Sequence, residues 1–89
     1  MKHIKLENGF ELDLEDDVLD NMELVDALAE MKSDEDPIAV SKVITLLLGK
    51  DTKKALYDFV RTESGRVPVA EVSKMVTEIF GAFGDAGKN

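Results

Sequence analysis

Apolar and polar residues alternate from His3 to Leu6 and again from Phe10 to Leu14, with Asn8-Gly9 between the two runs. Alternation of this kind marks a half-buried strand, and Asn-Gly between two such runs is the strongest short-range hairpin signal. The register follows from the side chains. A two-residue loop would set Leu6 opposite Glu11 and Ile4 opposite Asp13. A three-residue loop of Glu7, Asn8 and Gly9 instead pairs Leu6 with Phe10, Ile4 with Leu12 and Lys5 with Glu11. The second register is predicted, with Gly9 as the left-handed residue of a bulged turn. Two strands alone are marginal in water, so the face carrying Ile4, Leu6, Phe10, Leu12 and Leu14 must lie on helices or join another sheet edge. Either edge could also accept a strand from a second chain.

Beyond Leu14 the apolar period lengthens from two to about 3.6, the signature of helices. Glu15, Asp16 and Asp17 offer an N-cap and favourable first-turn charge, which predicts a helix over about 17–31. Val18, Met22, Val25 and Ala29 fall on one face of it, widened by Leu24, Leu28 and Met31. Asp20, Glu23, Asp26 and Glu30 occupy the other face without a basic partner, an arrangement that weakens the helix slightly. Ser33 to Asp36 makes a turn, Asp36 caps, and Pro37 takes the first position of a second helix over 37–48, ending at Gly49. Ile38, Val40, Val43, Ile44, Leu46, Leu47 and Leu48 surround nearly its whole circumference, so this helix is expected to form the core. Asp51 or Thr52 is expected to cap a third helix over about 52–63, with Leu56, Phe59 and Val60 inward and Gly65 ending it in a left-handed conformation. Pro68 opens a fourth over about 68–83, where Val69, Val72, Val76, Ile79, Phe80 and Phe83 recur at helical spacing. Gly81, Gly84 and Gly87 predict fraying, and residues 85–89 a mobile tail. The expected fold is therefore mainly α: a short N-terminal β-hairpin, about 3–14, followed by about four helices in a compact bundle, with residues 1–89 as one domain.

Charge adds a direction to this picture. Residues 1–36 hold thirteen acidic side chains against three basic ones, whereas residues 37–89 hold six against eight. Like charges crowded into one half repel, and a basic partner docking there relieves them. A net charge of −8 opposes binding to nucleic-acid phosphates. Lys50, Lys53, Lys54, Arg61 and Arg66 are interspersed with acids and form no nucleic-acid stripe, so no nucleic-acid partner is expected. With 89 residues and no cysteine, disulfides and thiolate chemistry are unavailable, and a chain this short gains from self-association or a partner. No apolar run approaches the roughly twenty residues of a membrane span, and Met1 to Lys5 lacks a signal-peptide core. The expected location is the cytoplasm, without membrane association.

The inventory of reactive groups is thin. His3, opposite Asp13 in the preferred register, reads as a cross-strand polar pair rather than a base or ligand. The clusters Glu15-Asp16-Asp17 and Asp34-Glu35-Asp36 lack the alternating spacing and glycine of a calcium loop; capping accounts for them, with weak divalent-cation binding as the alternative. Phosphate loops, nucleophile elbows and zinc ligand pairs are missing, and Ser64-Gly65 has no base at a motif distance. The expectation is no enzyme, no cofactor and no metal. Two surfaces remain as partner-binding candidates. One is an apolar face of the last helix formed by Val76, Ile79, Phe80 and Phe83, in which the two phenylalanines either close the core or extend beyond it as an anchor. The other is the acidic face of Asp20, Glu23, Asp26 and Glu30, either simply solvated or a dock for Lys and Arg on a client or a neighbouring copy.

The succession Phe10-Glu11-Leu12-Asp13, Met22-Glu23-Leu24-Val25-Asp26, Ile44-Thr45-Leu46-Leu47-Leu48-Gly49, Gly65-Arg66-Val67-Pro68-Val69 and Val76-Thr77-Glu78-Ile79-Phe80 resembles the small tail assembly chaperones of long-tailed bacteriophages and prophages, over roughly residues 9–80. The resemblance implies a non-enzymatic helical protein of the bacterial host's cytoplasm that is absent from the mature virion. It implies two partners, the aggregation-prone tape measure protein and the tail tube protein recruited around it. Many members of that family are also made in a longer form by ribosomal frameshifting, and Gly87-Lys88-Asn89 is compatible with an A-rich slippery codon stretch. A competing reading is a small acidic adaptor or regulatory protein that binds a basic cellular partner, mimicking the charge of a nucleic acid. A chaperone would hold an extended or helical apolar client, whereas the adaptor would hold a folded basic protein.

Overall fold

A computed structural model describes residues 1–31 and 36–87. The order of elements is β1 (Lys2–Lys5), β2 (Glu11–Leu14), α1 (Met22–Glu30), α2 (Pro37–Val60) and α3 (Val69–Gly87), so the chain is mainly helical with a short N-terminal hairpin.

The hairpin takes the register expected from its side chains, with Ile4 opposite Leu12, Lys5 opposite Glu11 and His3 opposite Asp13. The Leu6 N–H donates to the Phe10 carbonyl at 2.9 Å, the Gly9 N–H donates to the Leu6 carbonyl at 3.0 Å, and Gly9 has φ +96°. One face, Ile4, Leu6, Phe10, Leu12 and Leu14, is buried against the helices, which is how a two-stranded sheet is made stable. The turn is fastened to α3, because the Glu7 N–H donates to Glu78 Oε1 at 2.8 Å and the Glu7 carboxylate lies 3.7 Å from Lys74 Nζ.

Helix α1 starts later than the acidic run suggested. Two turns precede it, with the Val18 N–H on the Glu15 carbonyl at 3.1 Å and the Asp20 N–H on the Asp17 carbonyl at 2.9 Å. Asn21 is the cap, its Oδ1 accepting the Glu23 N–H at 3.0 Å. A start at Asp17 would have placed Asp20 and Asn21 within the first helical turns, where short polar side chains compete with the backbone. The turns instead seat Val18 and Leu19 on the core. The buried stripe differs too. Leu24 and Ala27 are buried with Leu28 and Met31 packed beside them, whereas Met22, Val25 and Ala29 face outward. Both sets have helical spacing; the leucine set carries more apolar area, which favours its burial.

The expected turn at Ser33 to Glu35 lies outside the described residues, but Asp36 caps α2, its Oδ1 accepting the Ala39 N–H at 3.4 Å with Pro37 in the first position. The helices expected at 37–48 and 52–63 form one run, giving three helices among the described residues rather than four. Gly49, at φ 76° and ψ 173°, breaks the helical geometry between them. Because helix resumes at Lys50, Asp51 and Thr52 lie inside it instead of capping a new one. The first half is not buried on every side, since Ile38 is 84% exposed. In the second half Leu56 is buried, Val60 packs beside the core, and Phe59 is half exposed with its ring centre 5.2 Å from that of Phe10 in an edge-to-face arrangement.

Helix α2 stops at Val60, not at Glu63, so Gly65, at φ +91°, ends no helix. It closes a turn of the same construction as the hairpin's: the Thr62 N–H donates to the Arg66 carbonyl at 2.8 Å and the Gly65 N–H to the Thr62 carbonyl at 2.9 Å. Arg61 braces this loop, donating to the Gly65 carbonyl at 2.9 Å and to Asp58 Oδ1 at 3.0 Å. Helix α3 then runs through the expected fraying point to Gly87; a helical glycine costs about 1 kcal/mol without breaking the helix. Asp85 to Gly87 thus belong to the helix, and Lys88 and Asn89 lie outside the described residues. Val72, Met75, Val76 and Ile79 on α3 join the hairpin face, α1 and α2 in one apolar cluster.

Candidate functional site

Glu23, Asp26 and Glu30 stand one turn or less apart along the exposed side of α1. Opposite them on α2 are Ile38, Ser41, Lys42, Thr45 and Leu46, and the two walls enclose a groove of about 490 Å³. Burial of the Leu24-Ala27-Leu28 stripe turns these carboxylates outward, and the Pro37 start brings Ile38 to the groove's end. Asp20, in the turn before α1, does not line the groove. Lys42 Nζ reaches across to Glu30 Oε2 at 3.3 Å, so the acidic face, expected to lack a cation, has one supplied by α2. Among the described residues no basic group comes within ion-pair distance of Glu23 or Asp26. The groove thus combines two carboxylates without a cation at ion-pair distance among the described residues, the exposed Lys42–Glu30 pair and the apolar side chains of Ile38 and Leu46. Ile38 is the residue the periodicity misread, because it fits the helical stripe of α2 and yet lies beyond the reach of the core.

The second candidate surface divides in two. Val76 and Ile79 are 4% and 0% exposed and belong to the core, so they present no binding surface while α3 is docked. Phe80 and Phe83 are half-buried against that core. Phe80 borders an apolar cleft of about 260 Å³ with Leu28, Met31, Val40 and Val76, and the Lys2 ammonium stands 5.8 Å from the centre of the Phe83 ring. Ser73 lies on the same helix with its hydroxyl buried and, among the described residues, without a hydrogen-bond partner.

On the solvent face of the hairpin, His3 is bracketed by two carboxylates: Nδ1 lies 2.7 Å from Asp13 Oδ1 and Nε2 lies 2.8 Å from Glu11 Oε1. Hydrogen bonds to Asp13 first and Glu11 second raise its pKa above the usual 6.5. The carboxylates sit on opposite ring nitrogens, which suits an imidazolium pair and not a chelate. Among the described residues no group of three His, Asp or Glu side chains is placed to hold a metal ion, and no helix is long and apolar enough to cross a membrane.

Comparison with protein-family models, with curated proteins and with solved structures gives no match.

Proposed function

We propose that this chain is a non-enzymatic tail assembly chaperone that holds the tape measure protein and helps recruit tail tube subunits during tail morphogenesis in the cytoplasm of a bacterial host, and that it is left out of the finished virion. The observation that carries the reading is the α1–α2 groove, where Glu23 and Asp26, unpaired among the described residues, stand beside exposed Ile38. A holdase needs such a surface: apolar contacts to cover a helical client reversibly, and net charge to keep the complex in solution. The sequence resemblance supplies the identity of the client, and the polarity of charge along the chain supports a binding role.

Co-expression with the tape measure protein tests it. The expected result is a soluble complex that purifies together and is lost in the double substitution Glu23→Gln, Asp26→Asn or in Ile38→Ser. A tape measure protein that stays insoluble with the chain present, or the chain itself in purified tails, would contradict the proposal. Capture instead of a folded basic protein through the same groove would favour the acidic adaptor.

A further inference from the structure

We propose that the α1–α2 groove accepts a basic amphipathic helix, and that Lys42 holds, in the free chain, the cation position that a Lys or Arg of that helix takes over. The inference rests on reading this groove as the partner-binding site, and it names the partner's chemistry whatever the partner's source.

The shape selects a helix. On α1 the wall residues Glu23, Asp26 and Glu30 follow an i, i+3, i+7 pattern, and on α2 Ile38, Ser41, Lys42, Thr45 and Leu46 follow i, i+3, i+4, i+7, i+8. Each wall is therefore a helical face about 10 Å long, or two turns. The trough between two packed helices receives the side-chain ridge of a third. An extended segment would lay unpaired N–H and C=O groups against walls that offer no strand edge, whereas a helix brings its backbone already satisfied.

The charges select a basic helix. Apolar residues about two turns apart would rest on Ile38 and Leu46, and Lys or Arg on the flank facing α1 would meet Glu23 and Asp26, which have no cation within ion-pair distance among the described residues. Nucleic acid is disfavoured by the sign of the wall. Lys42 already shows what the wall binds. Its ammonium spans the groove to Glu30 at 3.3 Å with both side chains more than half exposed, 56% and 65%. An exposed pair of this kind contributes little, so an incoming cation displaces it readily. Lys42 is a competitor built into the site.

Fluorescence anisotropy tests this with a labelled sixteen-residue helical peptide carrying Leu at three- and four-residue spacing and Lys on one flank. The peptide should bind the full chain at low salt, and versions with Lys replaced by Gln or Leu by Ser should not. The Glu23→Gln, Asp26→Asn pair should weaken binding about tenfold, Ile38→Ser about tenfold, and Lys42→Gln should tighten it about 2- to 5-fold. That gain should shrink as salt approaches about 0.5 M. No binding to the natural sequence, binding indifferent to Glu23 and Asp26, or weaker binding by the Lys42→Gln variant overturns the proposal. So does a self-associated chain that Glu23→Gln, Asp26→Asn makes monomeric, because the occupant is then a second copy. Loss of peptide binding with tape measure solubility intact removes this inference and leaves the chaperone role standing, and the opposite pattern does the reverse.

Discussion

Gly49 sits at φ 76° and ψ 173°, a region occupied almost solely by glycine. A Cβ there would meet nothing within 4 Å, so Gly49→Ala should cost about 1–3 kcal/mol through backbone strain alone, measured by urea unfolding. Ser73 differs in sign: its buried hydroxyl lacks a partner among the described residues, and Ser73→Ala should be neutral or stabilising in the same measurement. His3 gives a pH dependence. Its pKa is raised in the folded chain by Asp13 and Glu11, so its contribution is complete below the unfolded value near 6.5 and is lost as pH rises through the higher folded value. The stability difference between the natural sequence and His3→Gln should accordingly shrink on going from pH 6 to alkaline solution; a difference that grows would refute the pairing. At this scale, residues governed by local geometry were legible. Asn8-Gly9 announced its turn and Asp36-Pro37 its cap, because both are decided within four residues. Ile38 was not, because its exposure depends on where neighbouring elements stop.

The hairpin was readable to the residue, since its register is set by a three-residue loop and by the burial of one face. Helix α1 was readable in existence and not in phase. Two apolar stripes compete in 18–31, and the choice of Leu24, Ala27, Leu28 and Met31 is made by the packing of α1 against the core. The start of α1 misled for a related reason: Asp16, Asp17, Asp20 and Asn21 can all cap, and Asn21 does. Asn21→Ala should therefore cost about 1 kcal/mol of stability, and Asp17→Ala much less; equal losses would place the cap elsewhere. The second bulged turn carried a signal that could have been used. Glu63-Ser64-Gly65 repeats the chemistry of Glu7-Asn8-Gly9, and the structure gives both the same hydrogen bonds.

Across the whole molecule the core and the candidate site are separable. Ile79 and Leu56 are fully buried in the apolar cluster shared by the hairpin and the helices, so Ile79→Ala should cost about 2–5 kcal/mol and act on folding. Phe80 and Phe83, half in that core, would mix folding with binding if replaced, whereas Glu23, Asp26, Ile38 and Lys42 are exposed and report on the groove. The acidic face was legible in the sequence for Glu23, Asp26 and Glu30, because carboxylates at helical spacing need no tertiary information, and not for Asp20, which lies in the turn before α1. The groove was not, because its second wall comes from another helix whose angle to α1 is fixed by the buried stripe. Amide chemical-shift mapping of the ¹⁵N-labelled chain during titration with the basic amphipathic peptide locates the docking surface residue by residue. Shifts should concentrate at Glu23, Asp26, Glu30, Ile38, Lys42 and Leu46; shifts centred on Phe80 and Phe83, or spread over the basic half of α2, would rule out the groove as the binding site.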